Sequence, residues 1–532
     1  MKKVLFAVPL AALALAIVTA GAAAQPSPSR QHLFVGFAKA PGAAERSLVA
    51  RYGGTVRFSF PEVNALAIDL ADAKIGALAR ETGVRYVEQD PERNALALDP
   101  LQKDQLVPAL SNGLWGLVAT RAVDAHSAPG GGYTGAGVKA CVADTGIDAN
   151  HIDIAANYKG GYDAIDLDND PVVDNDEFEA HGTHVAGTVL GVNNGAGIFG
   201  VAYGAQLYHA RVLADPDHTG TASGSTSQVM DGVRHLAEDF GCKVINMSLG
   251  GGRRSGTEEN LYKRLTANGT LIVAAAGNDA VNTLDFPAGY QIVVSVSATD
   301  HDKLASFSSF GKGLDLTAPG VDVLSSVPNG TGREAKVQTA DGAVTTANSA
   351  EFAGTTSDRG VSAALVDCAT GETACANAAG KIALIQRGNI TFAEKVANAM
   401  AGGAVGVILY NNVEGSVNPT LGTVTAPDGS DWIPTVAVIQ AEGLALKANN
   451  LGQSVTVFNI ARDWGLNSGT SMAAPHVSGV AALVFASHPG ATPAQVEQIL
   501  KSTAKNLGPA GYDTQYGFGM PQADFAAAAT LP

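Results

Sequence analysis

The 532-residue sequence predicts an α/β protein of three layers. A mostly parallel central sheet is covered by helices on both faces, preceded by a small α+β unit and interrupted by a second, mainly-β or mixed unit. Three observations predict this. Runs such as VKACVADTG, CKVINMSLG and TLIVAAAGN are apolar at consecutive positions, as strands buried on both faces are. Helical segments such as STSQVMDGVRHLAEDFG alternate with them, the order of a sheet wound by crossover helices. Asp144, Ser248 and Asn278 end such strands, and reactive groups in these sheets collect at the strands' carboxyl ends.

The elements follow in order. In residues 1–24, Lys2 and Lys3 precede an apolar run from Val4 to Ala20 and the small residues Ala22-Ala23-Ala24, the pattern of a removable secretory leader. A secreted, extracellular product with no membrane attachment after leader cleavage is expected. Within residues 25–110, the stretch 30–98 reads β-α-β-β-α-β. HLFVGFA and NALAIDL alternate like strands, GAAERSLVARYG and ADAKIGALARETG have helical spacing, and DPLQKDQLVPALSNG reads as an exposed linker. Residues 111–330 and 463–532 carry the parallel-sheet pattern. Between them, residues 331–462 build a core of their own from KIALIQRG, TFAEKVANAMAGG, AVGVILYNN and IPTVAVIQAEGLALKANN.

Composition excludes several classes. The net charge is −16 and charged residues make up only 16% of the chain, against coiled coils and charged disorder. No basic stripe is present, so nucleic acid is not an expected partner. Of the four cysteines, Cys368 and Cys375 stand close enough in sequence to close a small ring. Cys141 and Cys242 sit in separate apolar strands and are expected as buried thiols.

Three motifs carry chemistry: ACVADTGID with Asp144, HGTHVAGT with His181, and NSGTSMAAPHVSG with Ser471; LIVAAAGND supplies Asn278 between the last two. A serine hydroxyl is a poor nucleophile until an imidazole takes its proton. That imidazole needs a carboxylate to hold its tautomer and stabilise its cation. A neutral amide donor must face the oxyanion that forms. Read alone, Asp144 is a turn residue, His181 a loop histidine and Ser471 a helix cap; together and in this order they read as one site.

On these motifs the chain resembles the subtilases, the subtilisin-like serine proteases, from about Leu114 to Gln522 apart from the insert. The resemblance implies a subtilisin-like fold and a serine endopeptidase working through an acyl-enzyme on peptide and protein substrates, with no catalytic cofactor. Asp144 would orient His181, His181 would act as base and then acid, Ser471 as nucleophile and Asn278 as oxyanion donor. Ser248, Leu249 and Gly250 would pair with an extended substrate. Ala275, Ala276 and Gly277 would line a roomy pocket for large apolar side chains, giving broad specificity. VLGVNNGAGIFGVA resembles the family's calcium loop, implying Asp153, Asn194 and the carbonyls of Val192, Ala196 and Ile198 as ligands of a structural calcium, with Ser111 where a longer amide is usual. The acidic run from Asp163 to Glu179 is a solvated loop or a second calcium site.

Residues 30–98 resemble an inhibitor-type propeptide, implying an autoprocessed zymogen whose strand near EQDPERNALAL lies in the cleft until cut, between about Leu98 and Leu110. The insert resembles a protease-associated (PA) domain through GKIALIQRGNITFAEKVANAMAGGAVGVILYNN. The alternative of another class is a secreted binding protein on a catalytically silent protease scaffold; the full set of reactive residues argues against it.

Overall fold

The computed structural model describes residues 29–96, 114–129, 132–173, 179–216, 221–415 and 417–532. The leader, the linker, Ser111 and the acidic residues Asp174, Asp176 and Glu177 lie outside them.

The first unit forms as its alternation predicts. Strands Thr55–Phe60, Ala65–Ala71, Arg30–Phe37 and Val84–Gln89 stand side by side in that order. Helices Ala43–Arg51 and Asp72–Leu78 bury Leu48, Val49 and Leu78 against Leu33, Val35, Leu66 and Ile68. The opposite face is not open to solvent: Phe34, Phe60 and Ala67 join a core shared with the following body.

The central sheet runs Tyr158–Asp163, Leu207–Arg211, Ala140–Asp144, Val244–Met247, Leu271–Ala275, Val294–Asp300, all parallel, with Leu316–Pro319 added in parallel and Lys303–Leu304 antiparallel at the far edge. Side chains alternate between its two faces. Ala140, Val142, Leu271, Val273 and Ala275 enter one core; Cys141, Ala143, Ile272 and Ala274 enter the other. The first face is covered by α1 (Ala180–Leu190) and α4 (Thr470–Ser487), the second by α2 (Thr226–Glu238) and α3 (Gly256–Ala267). Helix α4 is long and apolar enough by composition to span a bilayer, but it lies almost wholly buried in this core. Gly479 permits its close approach to α1: a Cβ there would come within 2.4 Å of Val201 Cβ and 3.2 Å of the Val189 carbonyl.

Cys141 and Cys242 are joined in a disulfide, correcting the expectation of two separate thiols. Strands Ala140–Asp144 and Val244–Met247 are sheet neighbours although the two cysteines are 101 residues apart, with Cys141 opposite Ile245. Strand order in a crossover sheet is not readable from one sequence, so neither was this adjacency. Cys368 and Cys375 also pair.

The insert carries a mixed sheet of eight strands and helices Phe392–Ala401 and Gln440–Asn449. Its two ends are clamped together. Val323–Ser326 pairs antiparallel with Trp464–Asn467, and Gly332–Thr339 continues that pairing with Ser454–Arg462. The chain therefore leaves the body and returns at one point, immediately before α4.

Candidate active site

Asp144 ends its strand fully buried. Its Oδ1 accepts from the Thr145 amide at 2.8 Å and lies 2.6 Å from His181 Nδ1. A carboxylate only accepts, so the proton of that pair sits on Nδ1 and leaves the Nε2 lone pair free. His181 stands in the first turn of α1; its Nε2 is buried and has no hydrogen-bond partner among the described residues.

Ser471 follows Gly469 and Thr470 into the first turn of α4. Pro475, one turn further on, has no amide proton, so the Ser471 carbonyl loses its intrahelical donor. Ser248 replaces it, its Oγ donating to that carbonyl at 2.7 Å. Ser248 is itself held by Asn246 Nδ2 at 2.9 Å, and Asn246 Oδ1 accepts from Ser478 Oγ at 2.8 Å. The turn that carries Ser471 is thus sewn to the strand end beside it. The Ser471 hydroxyl donates to the Ser248 carbonyl at 2.8 Å, not to His181.

Asn278 is oriented by a residue that sequence reasoning missed. The Thr470 amide and Oγ1 both donate to Asn278 Oδ1 at 2.9 Å. With its oxygen so occupied, the amide presents Nδ2 outward, and Nδ2 donates at 2.6 Å to the carbonyl of Leu96. Thr470 stands next to Ser471 in the motif, but its role becomes visible only with Asn278 in place.

Leu96 arrives on an extended strand, Glu92–Ala95, laid between two edges. On one side Ala95 faces Leu249 and Asn94 faces Gly250, and the Leu96 amide donates to the Ser248 carbonyl at 3.3 Å. On the other side Ser223–Ser225, an edge not anticipated, pairs with Glu92–Asn94. Two carboxylates fasten the preceding residues at helix N-termini, where amides are unsatisfied and the dipole favours negative charge. Glu88 Oε1 accepts from the Thr257 amide of α3 at 2.9 Å, and Asp90 Oδ1 from the Ser227 amide of α2 at 2.9 Å.

The leucine side chain lies where Gly250 lacks one: a Cβ on Gly250 would meet Leu96 Cδ1 at 2.8 Å and Asp285 Cβ at 3.0 Å. Gly277 closes the same pocket, its missing Cβ lying 2.7 Å from Asp285 Oδ2. Ala275 and Ala276 are buried behind it, bonded through the backbone to the neighbouring strand and to the Asp285 amide. Asp285 was not anticipated, because the aperiodic loop that carries it gives no sign of pointing at the pocket. Burial, then the charge of Asp279, push its carboxyl up, while Arg93 pulls it down.

The other motif histidines are neutral core residues. Burial holds His184 down at about 3 and His476 at about 4, and their rings bond the carbonyls of Val323 and Met472.

In the expected calcium loop, Asp153 Oδ2 accepts from Trp464 Nε1 at 2.6 Å, the Ile198 amide at 3.1 Å and Ser326 Oγ at 3.2 Å. Oδ1 is buried with no partner among the described residues. It occupies the space a Gly197 side chain would fill, 2.2 Å from that Cβ position. A bare carboxylate oxygen in a glycine-made recess fits a cation. Asn194 Oδ1 accepts from the Ala196 amide at 2.9 Å. No group of three or more His, Cys, Asp or Glu side chains able to hold a metal occurs among the described residues. In the described part of the acidic run, Asp163, Asp166 and Glu179 all bond Arg211, while Asp168 and Asp170 accept only local backbone amides.

Comparison with known proteins gives the family. The Subtilase family matches residues 135–400 and 423–519, and the Fervidolysin N-terminal prodomain matches residues 18–90. Subtilisin NAT from Bacillus subtilis subsp. natto is 35% identical over 328 residues, 60% of this chain and 79% of that protein. The crystal structure of the psychrophilic subtilisin-like protease Apa1 from the Antarctic psychrotroph Pseudoalteromonas sp. AS-11 covers 78% of this chain and 97% of that one at 34% identity and a TM-score of 0.52. Fervidolysin from Fervidobacterium pennivorans, a keratinolytic enzyme related to subtilisin, shares the fold at 23% identity and a TM-score of 0.60, over 95% of this chain and 62% of that one. The chain belongs to the subtilase family: it is a subtilisin-like serine endopeptidase preceded by a prodomain.

Proposed function

We propose that Asp144, His181 and Ser471 form the catalytic triad of a secreted, self-processing endopeptidase, and that the bond it first cuts is Leu96–Ala97. The observation that carries this is the Leu96 carbonyl, held by Asn278 Nδ2 at 2.6 Å at the end of a strand paired to the enzyme as a substrate would be. Attack by Ser471 Oγ on that carbonyl carbon forms the C–O bond while His181 Nε2 takes the hydroxyl proton; Asp144 stabilises the resulting imidazolium. Asn278 and the Ser471 amide receive the oxyanion. Collapse expels the Ala97 amine, which takes the proton from His181, and water then releases the acyl group. The proposed bond lies just upstream of the interval expected from sequence, because small residues on both sides of Leu96 leave the register of the strand unmarked.

The same strand, once cut, remains paired across the cleft and blocks it, which supports residues 25–96 as an intramolecular inhibitor. Two disulfides and the leader pattern support secretion. The insert, by its sequence resemblance and its separate sheet, is proposed as a PA-like domain attached at a single neck. A structural calcium is proposed at Asp153 and Asn194 with the carbonyls of Val192, Ala196 and Ile198; such an ion supplies charge neutralisation for Asp153 and ties the loop to the body.

Leu96 supports a preference for large apolar residues before the scissile bond, and Asp285 adds acceptance of a basic one. The silent-scaffold alternative has no observation in its favour.

Four outcomes test this reading. Ser471→Ala precursor should stay uncut while the wild type yields a mature chain beginning at Ala97 by N-terminal sequencing; processing of the variant in a protease-free host would defeat self-cleavage. In the mature enzyme, Asn278→Ala should lower turnover by roughly 10²–10³ and Ser471→Ala by roughly 10⁶, the losses that the equivalent changes cause in subtilisin; equal losses would contradict the roles. The preference for Lys over Leu before the scissile bond should rise by roughly tenfold with pH. The rise should fall above the ordinary carboxylate range, because Asp285 pairs with a lysine only once ionised and its carboxyl is pushed up; Asp285→Asn should flatten that profile, and an unchanged profile would remove Asp285 from the pocket. EDTA should lower the melting temperature of the mature protein, since a ligand held by the folded state stabilises it; an unchanged value would remove the calcium.

A further inference from the structure

Three residues before Leu96, Arg93 is fully buried. A buried guanidinium needs a countercharge and acceptors for its protons. Its Nη2 lies 2.6 Å from Glu258 Oε2, itself fully buried, and donates to the Arg253 carbonyl at 3.0 Å. Glu258 stands in the first turn of α3, where Ser255 Oγ accepts from its amide. Its carboxylate is fixed by two more groups of the enzyme body: Tyr262 donates to Oε1 at 3.1 Å and the Tyr290 hydroxyl lies 2.8 Å from Oε2. Apart from Arg93 itself, every group bonding this carboxylate belongs to the body and stays when the prodomain leaves.

The neighbouring acid shows the contrast. Glu259 is served by Arg254 and Lys263, both of the body. Among the described residues, Glu258 has no cationic partner other than Arg93. Prodomain release therefore removes the one cationic partner that the described residues give this carboxylate and leaves it beside two tyrosine hydroxyls at the cleft.

We propose that Glu258, with Tyr262, Tyr290 and the Arg253 carbonyl, forms a substrate subsite selective for arginine at the fourth residue before the scissile bond. The proposal rests on the endopeptidase reading and on Leu96 as the residue whose carbonyl is attacked. The strand pairing of Asn94 and Ala95 with Gly250 and Leu249 brings any extended substrate past this pocket in the same register. A guanidinium meets both the carboxylate and the carbonyl through fixed donors, whereas an ammonium offers a point charge, so lysine ranks below arginine. An uncharged side chain of like length leaves Glu258 unpaired, and leaving one partner of a buried, hydrogen-bonded charge pair alone is strongly unfavourable.

The test uses mature wild-type enzyme and internally quenched peptides of the sequence X-Asn-Ala-Leu-Ala, with Arg, Lys or norleucine at X. Arginine should exceed norleucine by at least about 30-fold in kcat/KM, with lysine between them, and Glu258→Gln should collapse that ratio. Cleavage of all three after leucine at rates within about threefold of one another would overturn the subsite and leave the endopeptidase reading intact. Cleavage of none would defeat that reading instead. The pocket is then decided by calorimetric binding of Glu-Arg-Asn-Ala-Leu, ending in a free carboxylate, against its norleucine counterpart: tighter binding of the arginine peptide supports the subsite, and equal or absent binding overturns it.

Discussion

The structure depends on where one apolar helix is forced to end. Helix α4 is buried along nearly its whole length between the sheet and α1, so its start must fall at the carboxyl edge of the strands. Its proline would leave a carbonyl unbonded in that buried place, and Ser248 supplies the missing donor. One backbone defect thereby joins Ser471 to the edge that pairs with the prodomain strand. Thr470, one residue away, uses the same turn to aim Asn278. Ser471, the Asn278 amide and the Ser248–Gly250 edge are not three placements but one.

The prodomain exploits groups that such a sheet leaves unsatisfied. Two helix N-termini on the opposite face offer free amides, and Glu88 and Asp90 occupy them. The residues that follow then run into the cleft, and Arg93 and Leu96 fill its pockets. In the proposed processing, inhibitor and first substrate are one peptide, distinguished only by whether the bond after Leu96 is intact. The insert is fastened by the strand pair that leads directly into α4, so it joins the body close to the nucleophile while keeping its own core.

Much of this was legible from residue types. The proposed triad was readable in the sequence because nucleophile, base and orienting acid each need one particular chemistry at a strand end or helix start. Burial on both faces showed as unbroken apolar runs. Spatial adjacency was not legible: Cys141 and Cys242 meet only because their strands are neighbours, and Ser223–Ser225 shows as an edge only because Glu92–Ala95 lies beside it. Asp285 and Glu258 escaped for the same reason, since an acid in a loop or a helix start looks alike whether it faces water or a pocket. Within the acidic run, Arg211, distant in sequence, bonds Asp163, Asp166 and Glu179, a partner that the run itself does not reveal.

The central claim is that His181 makes Ser471, alone among the chain's serines, reactive. Peptide mapping of mature protein treated with a serine-directed fluorophosphonate measures this most directly. A single adduct on Ser471, lost in His181→Ala, is the expected result; an unlabelled Ser471 in the folded, processed protein, or labelling that ignores His181, would contradict the account.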